Sequence, residues 1–425
     1  MPFILVRWIR CVVEHIRRLT LTLRPTHKPT MNLRSLSRRN TRHIVVIGAG
    51  LSGLVSAYLL KQAGQAVTIL EARSRPGGRV LTLREPFSDH LWADLGACRI
   101  ADTHTWTIRW VKHFGLHLEP MYPQAGKLFR EDGGQLREGP ETAFLSANEV
   151  HDFIAADLPS SPRSSRRGQL PRLVKRTLLL PNWYRIQGGM DLLAHAFADR
   201  LRARIMYCTA AIGIGSHEHG VVVSCAGGQV KAIEGDFVVC TVPYTLLRAI
   251  AMSPALSVEK TRLLEEMKYQ PSTRVVLELD GRSWLKRDWN GYGLTDEGME
   301  IWLPSVDQAS THCLLSVYAQ GQAAQPLAGL SQDEIIARTI GRLDRLFPNL
   351  GKHCIRAVAF SWTQEPWSLG AQSIKDDAHG RSLQHLQRSE GAVHFAGEHT
   401  SEGWMDGAFQ SGYRAAREIL ARIDT

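Results

Sequence analysis

Gly48, Gly50 and Gly53 stand in a GxGxxG spacing directly after the apolar run Ile44 to Ile47, and Glu71 ends a second apolar run, Ala66 to Leu70. Residues of these types in this order can hold a dinucleotide. Gly48 allows a tight turn, Gly50 lets backbone approach a pyrophosphate, and Gly53 lets the next segment pack close to the first. The Glu71 carboxylate can accept hydrogen bonds from both ribose hydroxyls, and its charge would repel a 2′-phosphate. The elements that must position them follow from the pattern. Ile44 to Ile47 is short enough for a buried parallel strand. A helix from about Leu51 to Ala63, stopped by Gly64, would point its free N–H groups and positive dipole end at the phosphates, with Ser52 in its first turn. Strand, glycines, helix, strand and terminal acid in sequence are the context that makes a GxGxxG meaningful.

Further along, the reading predicts a helix over Thr103 to Phe114 and a hairpin turning at Asp132-Gly133-Gly134. A helix follows Gly188-Gly189, then strands at Val221 to Val223 and Phe237 to Pro243, a strand at Arg274 to Leu279, and a capping box at Ser331 to Glu334. The chain returns through a strand ending at Glu398 and a final helix to about Ile423, whose small residues Gly407, Ala408, Ser411 and Gly412 would let it approach the cofactor. The Ser, Pro and Arg-rich segment 159–168 reads as an exposed loop. His217-Glu218-His219 reads as a solvated turn.

The formal charge is +10, but residues 1–42 hold ten lysines or arginines and one acid, so nine of those charges belong to an extension and the body is close to neutral. With no zinc-finger, basic-zipper or RNA-binding signature, nucleic acid is rejected as a partner. Seven scattered cysteines without a CxxC point to a reducing compartment, no disulfide framework and no metal site. The extension has no apolar run near the ~20 residues a spanning helix needs. It reads as a disordered extension or an upstream start overrunning Met31. A basic amphipathic helix lying on an anionic membrane surface is the other reading. The expected location is cytoplasmic or peripheral to a membrane.

Arg73 and Gly77-Gly78-Arg79-Val80-Leu81-Thr82-Leu83-Arg84 resemble the GGRxxT motif of FAD-binding amine oxidases, and the FAGEHTSEGWMDGAFQSGYRAAREI stretch that begins at Phe395 resembles the same family's C-terminal signature. From 43 to about 424 the chain is similar to flavin amine oxidases, in particular to L-amino-acid oxidases. The resemblance implies an α/β fold: a glutathione-reductase-like Rossmann domain for FAD (43–100, 185–244 and 386–425), interleaved with an α+β, mixed-sheet substrate domain (101–184 and 245–385). It implies that Glu71 holds the adenosine ribose, Arg79 lies by the pyrophosphate or flavin, and Glu398 meets the phosphate–ribityl region. The backbone of Met405 would donate to the flavin's pyrimidine carbonyl, and the backbone of Ala211 would meet adenine. Within Leu95-Gly96-Ala97-Cys98-Arg99, Gly96 and Ala97 would line the cofactor. Arg99 would grip a substrate carboxylate as a planar fork, the alternative being a surface ion pair. Trp404 would wall the amine site, and Trp362 and Trp367 would pack on the ring or the funnel, or simply in the core. Ala371 stands where monoamine oxidases carry a flavin-bonding cysteine, so FAD is expected to be noncovalent. Arg274 stands where the family usually has a lysine that holds a water at flavin N5. Because an arginine stays protonated, the acceptor is left open between dioxygen and another.

The activity this implies is oxidative deamination of an L-amino acid to a 2-oxo acid, ammonia and hydrogen peroxide, by hydride transfer to flavin N5. Three alternatives remain: oxidation of a polyamine or aromatic amine, C–C desaturation on the same fold, and a flavoprotein without catalysis. Monomer and homo-oligomer are both open.

Overall fold

Five short, mostly apolar strands pair side by side and all in parallel, in the order Ile205–Met206, Ala66–Leu70, His43–Ile47, Phe237–Cys240, Val393–Phe395. Strands buried on both faces need such sequences. The computed structural model describes residues 41–121, 127–141, 183–281, 289–304, 310–374 and 377–424. The basic extension to residue 40 and the segment 159–168 lie outside the described residues. One face of the sheet is covered by helices Leu51–Gln62, Asp191–Leu201 and Trp404–Ile423, which bury Leu54, Leu60, Phe197, Phe409 and Ile419 against Ile44, Val46 and Val67. The other face carries a second core with Ile214, Val223, Leu263, Leu264 and Leu386.

The first helix ends as its sequence predicts. Ala63 is its C-cap, and Gly64 follows at a positive φ of 87°. The last helix approaches something other than expected at its small residues. A Cβ on Gly412 would lie 2.3 Å from the Ser52 carbonyl and 2.5 Å from Val55, so this glycine seats the last helix on the first. Ser411 Oγ accepts from Gly397 N at 2.9 Å and so holds the strand-to-helix turn. Of the four small residues, Ala408 lines the cavity beyond the strand ends.

A mixed seven-stranded sheet forms the opposite half, in the order Cys354–Ser361, Ser272–Leu279, Cys313–Gln320, Glu300–Trp302, Trp289–Leu294, Lys127–Asp132, Gln135–Glu141. The last two strands are the hairpin predicted at Asp132-Gly133-Gly134. Helix Gln332–Leu346 packs on this sheet and opens with the predicted capping box, Ser331 Oγ accepting from Glu334 N at 3.3 Å and Glu334 Oε2 from Ser331 N at 2.8 Å. Ser272–Leu279 is buried at all eight residues, the polar ones included, and its Arg274 lines the cavity between the two halves.

One boundary is later than the sequence suggests. After Pro243 the chain stays on the parallel-sheet side. Ala251–Ser253 pairs with Ala210–His217, and Leu263, Leu264 and Met267 share a core with Phe395 and Leu386. Crossing to the second half comes just before Ser272. The sequence missed it because helix Val258–Glu266 is mostly charged, with only a narrow apolar stripe. No helix among the described residues is long and apolar enough to cross a membrane.

Candidate active site

A cavity of about 670 Å³ runs from the carboxyl ends of the parallel strands to the inner face of the seven-stranded sheet. Ligands of open α/β sheets sit beyond those strand ends. Its volume lies in the range of organic ligand and cofactor sites.

At the near end the two glycine motifs form one cradle. Gly77 N donates to Ala49 O at 2.8 Å, and a Cβ on Gly78 would come 3.3 Å from Gly50 Cα. A Cβ on Gly53 would lie 1.9 Å from Gly48 O, so that glycine is fixed by packing, while a Cβ on Gly50 would meet no protein atom within 4 Å. Gly48 has a φ of 103°. Helix Leu51–Gln62 starts here with no side-chain cap and no acid in its first turn, so the cradle faces bare N–H groups. Glu71 is buried. Its Oε2 accepts from Ala49 N at 2.7 Å and its Oε1 from Arg73 N at 2.9 Å, which leaves lone pairs on both oxygens. Burial raises its pKa above the ordinary value, against the pull of those two N–H donors and of Arg73. Thr209 N donates to Glu71 O, which brings Ala211 to the same end of the cavity.

Arg73 leads away from the cradle. It pairs with Glu365 and donates to Ser368 Oγ at 2.8 Å, so it pins the loop that carries Trp367. Trp367 is 40% exposed and lines the cavity. Trp362 also lines it but is otherwise core, its Nε1 donating to Leu95 O at 2.8 Å. Arg79 Nη1 bridges Glu398 Oε1 at 2.8 Å and Ala371 O at 3.0 Å, and its guanidinium lies over Tyr269. Gly96 is required by backbone, since its Cβ would fall 2.2 Å from Arg79 O, and Ala97 N donates to the same oxygen at 3.1 Å.

At the far end the groups are polar and buried. Arg99 (8% exposed) pairs with Glu300 (7%), which also accepts from Tyr292 Oη at 2.5 Å. This is a buried pair, unlike the surface alternative. Arg274 (2% exposed) donates from Nη1 to Asp94 O at 2.6 Å, and the Trp302 and Tyr318 rings pack around its guanidinium at 4.7 and 4.3 Å. Burial pushes the Asp94 carboxyl up to about 6. Trp404 opens the last helix at a φ of 59°, with Trp183 and His104 5.6 and 5.7 Å from its ring. It is 47% exposed and lines the cavity beside Met405, whose position at the helix N-terminus leaves its N–H without a helical acceptor.

Of the residues singled out from the sequence, Gly48, Gly50, Ser52, Glu71, Arg73, Gly78, Arg79, Gly96, Ala97, Arg99, Ala211, Arg274, Trp367, Glu398, Trp404 and Met405 line this cavity, and Gly53 lies just behind the cradle. The sequence did not single out Glu300, Tyr318, Gln320 and Gln270, which line the same space. They fall in ordinary-looking strands and turns with no motif spacing, so only the sheet register could find them. An elongated groove with a phosphate cradle at one end, an acid for ribose beside it and helix N-terminal donors midway fits FAD.

The family model for flavin containing amine oxidoreductases matches residues 51–163 and 139–420. The YobN protein of Bacillus subtilis (strain 168) is 30% identical, over 90% of this chain and 95% of its own length. The flavin-dependent L-tryptophan oxidase RebO of Lentzea aerocolonigenes is 28% identical, over 90% of this chain and 99% of its own. Cyclohexylamine oxidase from Brevibacterium oxydans IH-35A superposes with a TM-score of 0.73 at 19% identity, covering 91% of this chain and 100% of its own, a likeness of fold. The glycine cradle, the buried ribose acid and the matched length together make this chain an FAD-dependent oxidoreductase that belongs to the flavin containing amine oxidoreductase family.

Proposed function

We propose that the protein oxidatively deaminates an L-amino acid: amino acid, dioxygen and water give a 2-oxo acid, ammonia and hydrogen peroxide. One observation carries this reading. The inner end of the cavity holds two buried guanidiniums, Arg99 and Arg274, and one carboxylate, Glu300. Arg99 is matched by Glu300, whereas Arg274 has no carboxylate in ion-pair contact among the described residues, the buried Asp94 carboxyl, with its pKa raised to about 6, standing nearby. An unmatched charge away from water is costly, so that end favours a ligand bearing a single negative charge beside an apolar body. An amino acid with a neutral amine is such a ligand. The RebO likeness supports the same substrate class.

In this reading Gly48, Gly50, Gly53, Ser52 and Gly78 hold the FAD pyrophosphate region, Glu71 the ribose and Ala211 the adenine. Arg73, Gly96, Ala97 and Trp367 line its length, and Arg79, Glu398 and Met405 meet the flavin half. Bound FAD supplies two-electron acceptance from a C–N bond, which no side chain can provide. The chain's own task is orientation. The guanidinium end fixes the carboxylate, and the flat face of Trp404 confines the amine and α-carbon. Orientation of this kind supplies most of the acceleration, and no acid–base triad is assigned. The parallel-sheet half is the FAD-binding domain, and the seven-stranded half is the substrate domain.

Oxidation of a carboxylate-free amine is the second reading, and Glu300 favours it, because an acid on the wall can meet an ammonium. Aerobic turnover of amino acids and of their decarboxylated amines separates the two. Equimolar ammonia and peroxide from an amino acid, with a slower rate on its amine, is the expected result. Turnover of the amine alone would remove the first reading, and ammonia without peroxide would remove dioxygen as the acceptor.

A further inference from the structure

Resting on the amino-acid reading, we propose that Arg274, and not Arg99, is the group that binds the substrate carboxylate, and that Glu300 is the internal counter-ion that keeps Arg99 from doing so. The two guanidiniums differ in their company. Arg99 is paired with Glu300 through both nitrogens of its fork, Nη1 at 3.3 Å from Oε1 and Nη2 to Oε2, and Nη2 also reaches Tyr292 Oη at 3.3 Å. The geometry a substrate carboxylate would need is already taken by a protein carboxylate. Glu300 is itself held in place by Tyr292 Oη and by Gln320 Nε2 at 3.4 Å, so it is not free to swing aside.

Arg274 has no carboxylate within ion-pair distance among the described residues. Its hydrogen-bond partners are Asp94 O and, at 3.5 Å, Cys98 Sγ, both on Nη1. Its Nε is buried without a partner, and Nη2 donates to no described group. Trp302 and Tyr318 pack around the guanidinium, their ring centres 4.7 and 4.3 Å from its central carbon, and restrict its orientation. A guanidinium with no paired carboxylate and with Nη2 uncommitted among the described residues, on the wall of the substrate cavity, is a receptor for an anion. In this reading the arginine at this position has a role separate from the handling of dioxygen.

The test is equilibrium binding of phenylacetate, a carboxylate without an amine, read by perturbation of the flavin spectrum in holoenzyme. It is run beside anaerobic flavin reduction by amino acids. Arg274→Gln should weaken phenylacetate roughly ten- to hundredfold, the cost of losing a charge-assisted contact. Arg274→Lys should recover part of that. The double variant Arg99→Gln/Glu300→Gln removes a charge pair of no net charge and should stay within about threefold of wild type by the same measure. Flavin content and melting temperature show that each variant is folded. Phenylacetate affinity unchanged in Arg274→Gln, or lost in the double variant as far as in Arg274→Gln, overturns the assignment while amino-acid reduction of wild-type flavin leaves the broader reading standing. If wild-type flavin is reduced by amines and by no amino acid, the broader reading falls and takes this assignment with it.

Discussion

Arg79 and Glu398, 319 residues apart, meet at 2.8 Å across the groove. The contact ties the second glycine motif to the turn before the last helix. Burial alone would raise the Glu398 pKa, but Arg79, with His399 and Ser373, holds it below its ordinary 4.5. A carboxyl with a depressed folded pKa stabilises the protein above its unfolded value, and that contribution is lost as pH falls through the folded one. Glu398→Gln should therefore lower stability at neutral pH by about 1–3 kcal/mol, the guanidinium being partly exposed. It should also flatten the acid side of the melting profile below pH 4.5. An unchanged melting temperature at pH 7 would show that the pair does not bear on stability.

Gly50 and Gly412 should respond in opposite ways to the same added methyl. At Gly50 the methyl meets no protein atom within 4 Å and enters the cofactor groove, whereas at Gly412 it lies 2.3 Å from Ser52 O. Gly50→Ala should fold with the wild-type apoprotein melting temperature and lose FAD affinity. Gly412→Ala should lose about 2 kcal/mol or more of stability through overpacking. Thermal denaturation of both apoproteins, followed by FAD titration, separates the two effects. Equal destabilisation of the two would contradict the placement of the groove.

Asp94 gives the opposite pH sign to Glu398. Burial raises its pKa from 3.8 to about 6, against hydrogen bonds from Thr82 Oγ1 and Met190 N. A raised carboxyl favours folding most below its unfolded pKa, and the advantage disappears as pH rises through the folded value. Over that window it amounts to about 3 kcal/mol. Asp94→Asn keeps the accepting oxygen and should lose this slope between pH 4 and 6. A melting profile in that window identical to wild type would show that Asp94 is not the group responsible.

Ala371 lines the cavity, and the resemblance to monoamine oxidases matches it to their flavin-bonding cysteine, so noncovalent FAD is the expected state. Acid precipitation of holoenzyme should leave the yellow colour in the supernatant. Colour retained in the pellet after digestion to peptides would contradict noncovalent binding.

Much of this was legible in the sequence because it depends on local order. The dinucleotide motif binds through backbone and glycine spacing, which neighbouring residues dictate, and the capping box at Ser331 and the hairpin at Asp132 are equally local. The far end of the site was not legible in the same way. Arg99 and Arg274 could be singled out by position, but their different states depend on Glu300, 201 residues from Arg99, reaching it through the register of a mixed sheet. The role of Gly412 was misjudged for the same reason. A small residue announces a close approach without saying to what, and the partner turned out to be Ser52. The late crossing after Pro243 was hidden because a helix with a mostly charged surface can still bury Leu263 and Leu264.

The central claim is that FAD bound in this groove takes two electrons from an α-amino acid held at the guanidinium end. It is tested most directly by adding L-amino acids and their decarboxylated amines to yellow holoenzyme without oxygen and following the flavin absorbance. The account predicts rapid bleaching by at least one L-amino acid, much slower bleaching by its amine, and return of the colour on admission of air. Protein that carries FAD yet stays yellow with every amino acid, while an amine bleaches it, would contradict the account.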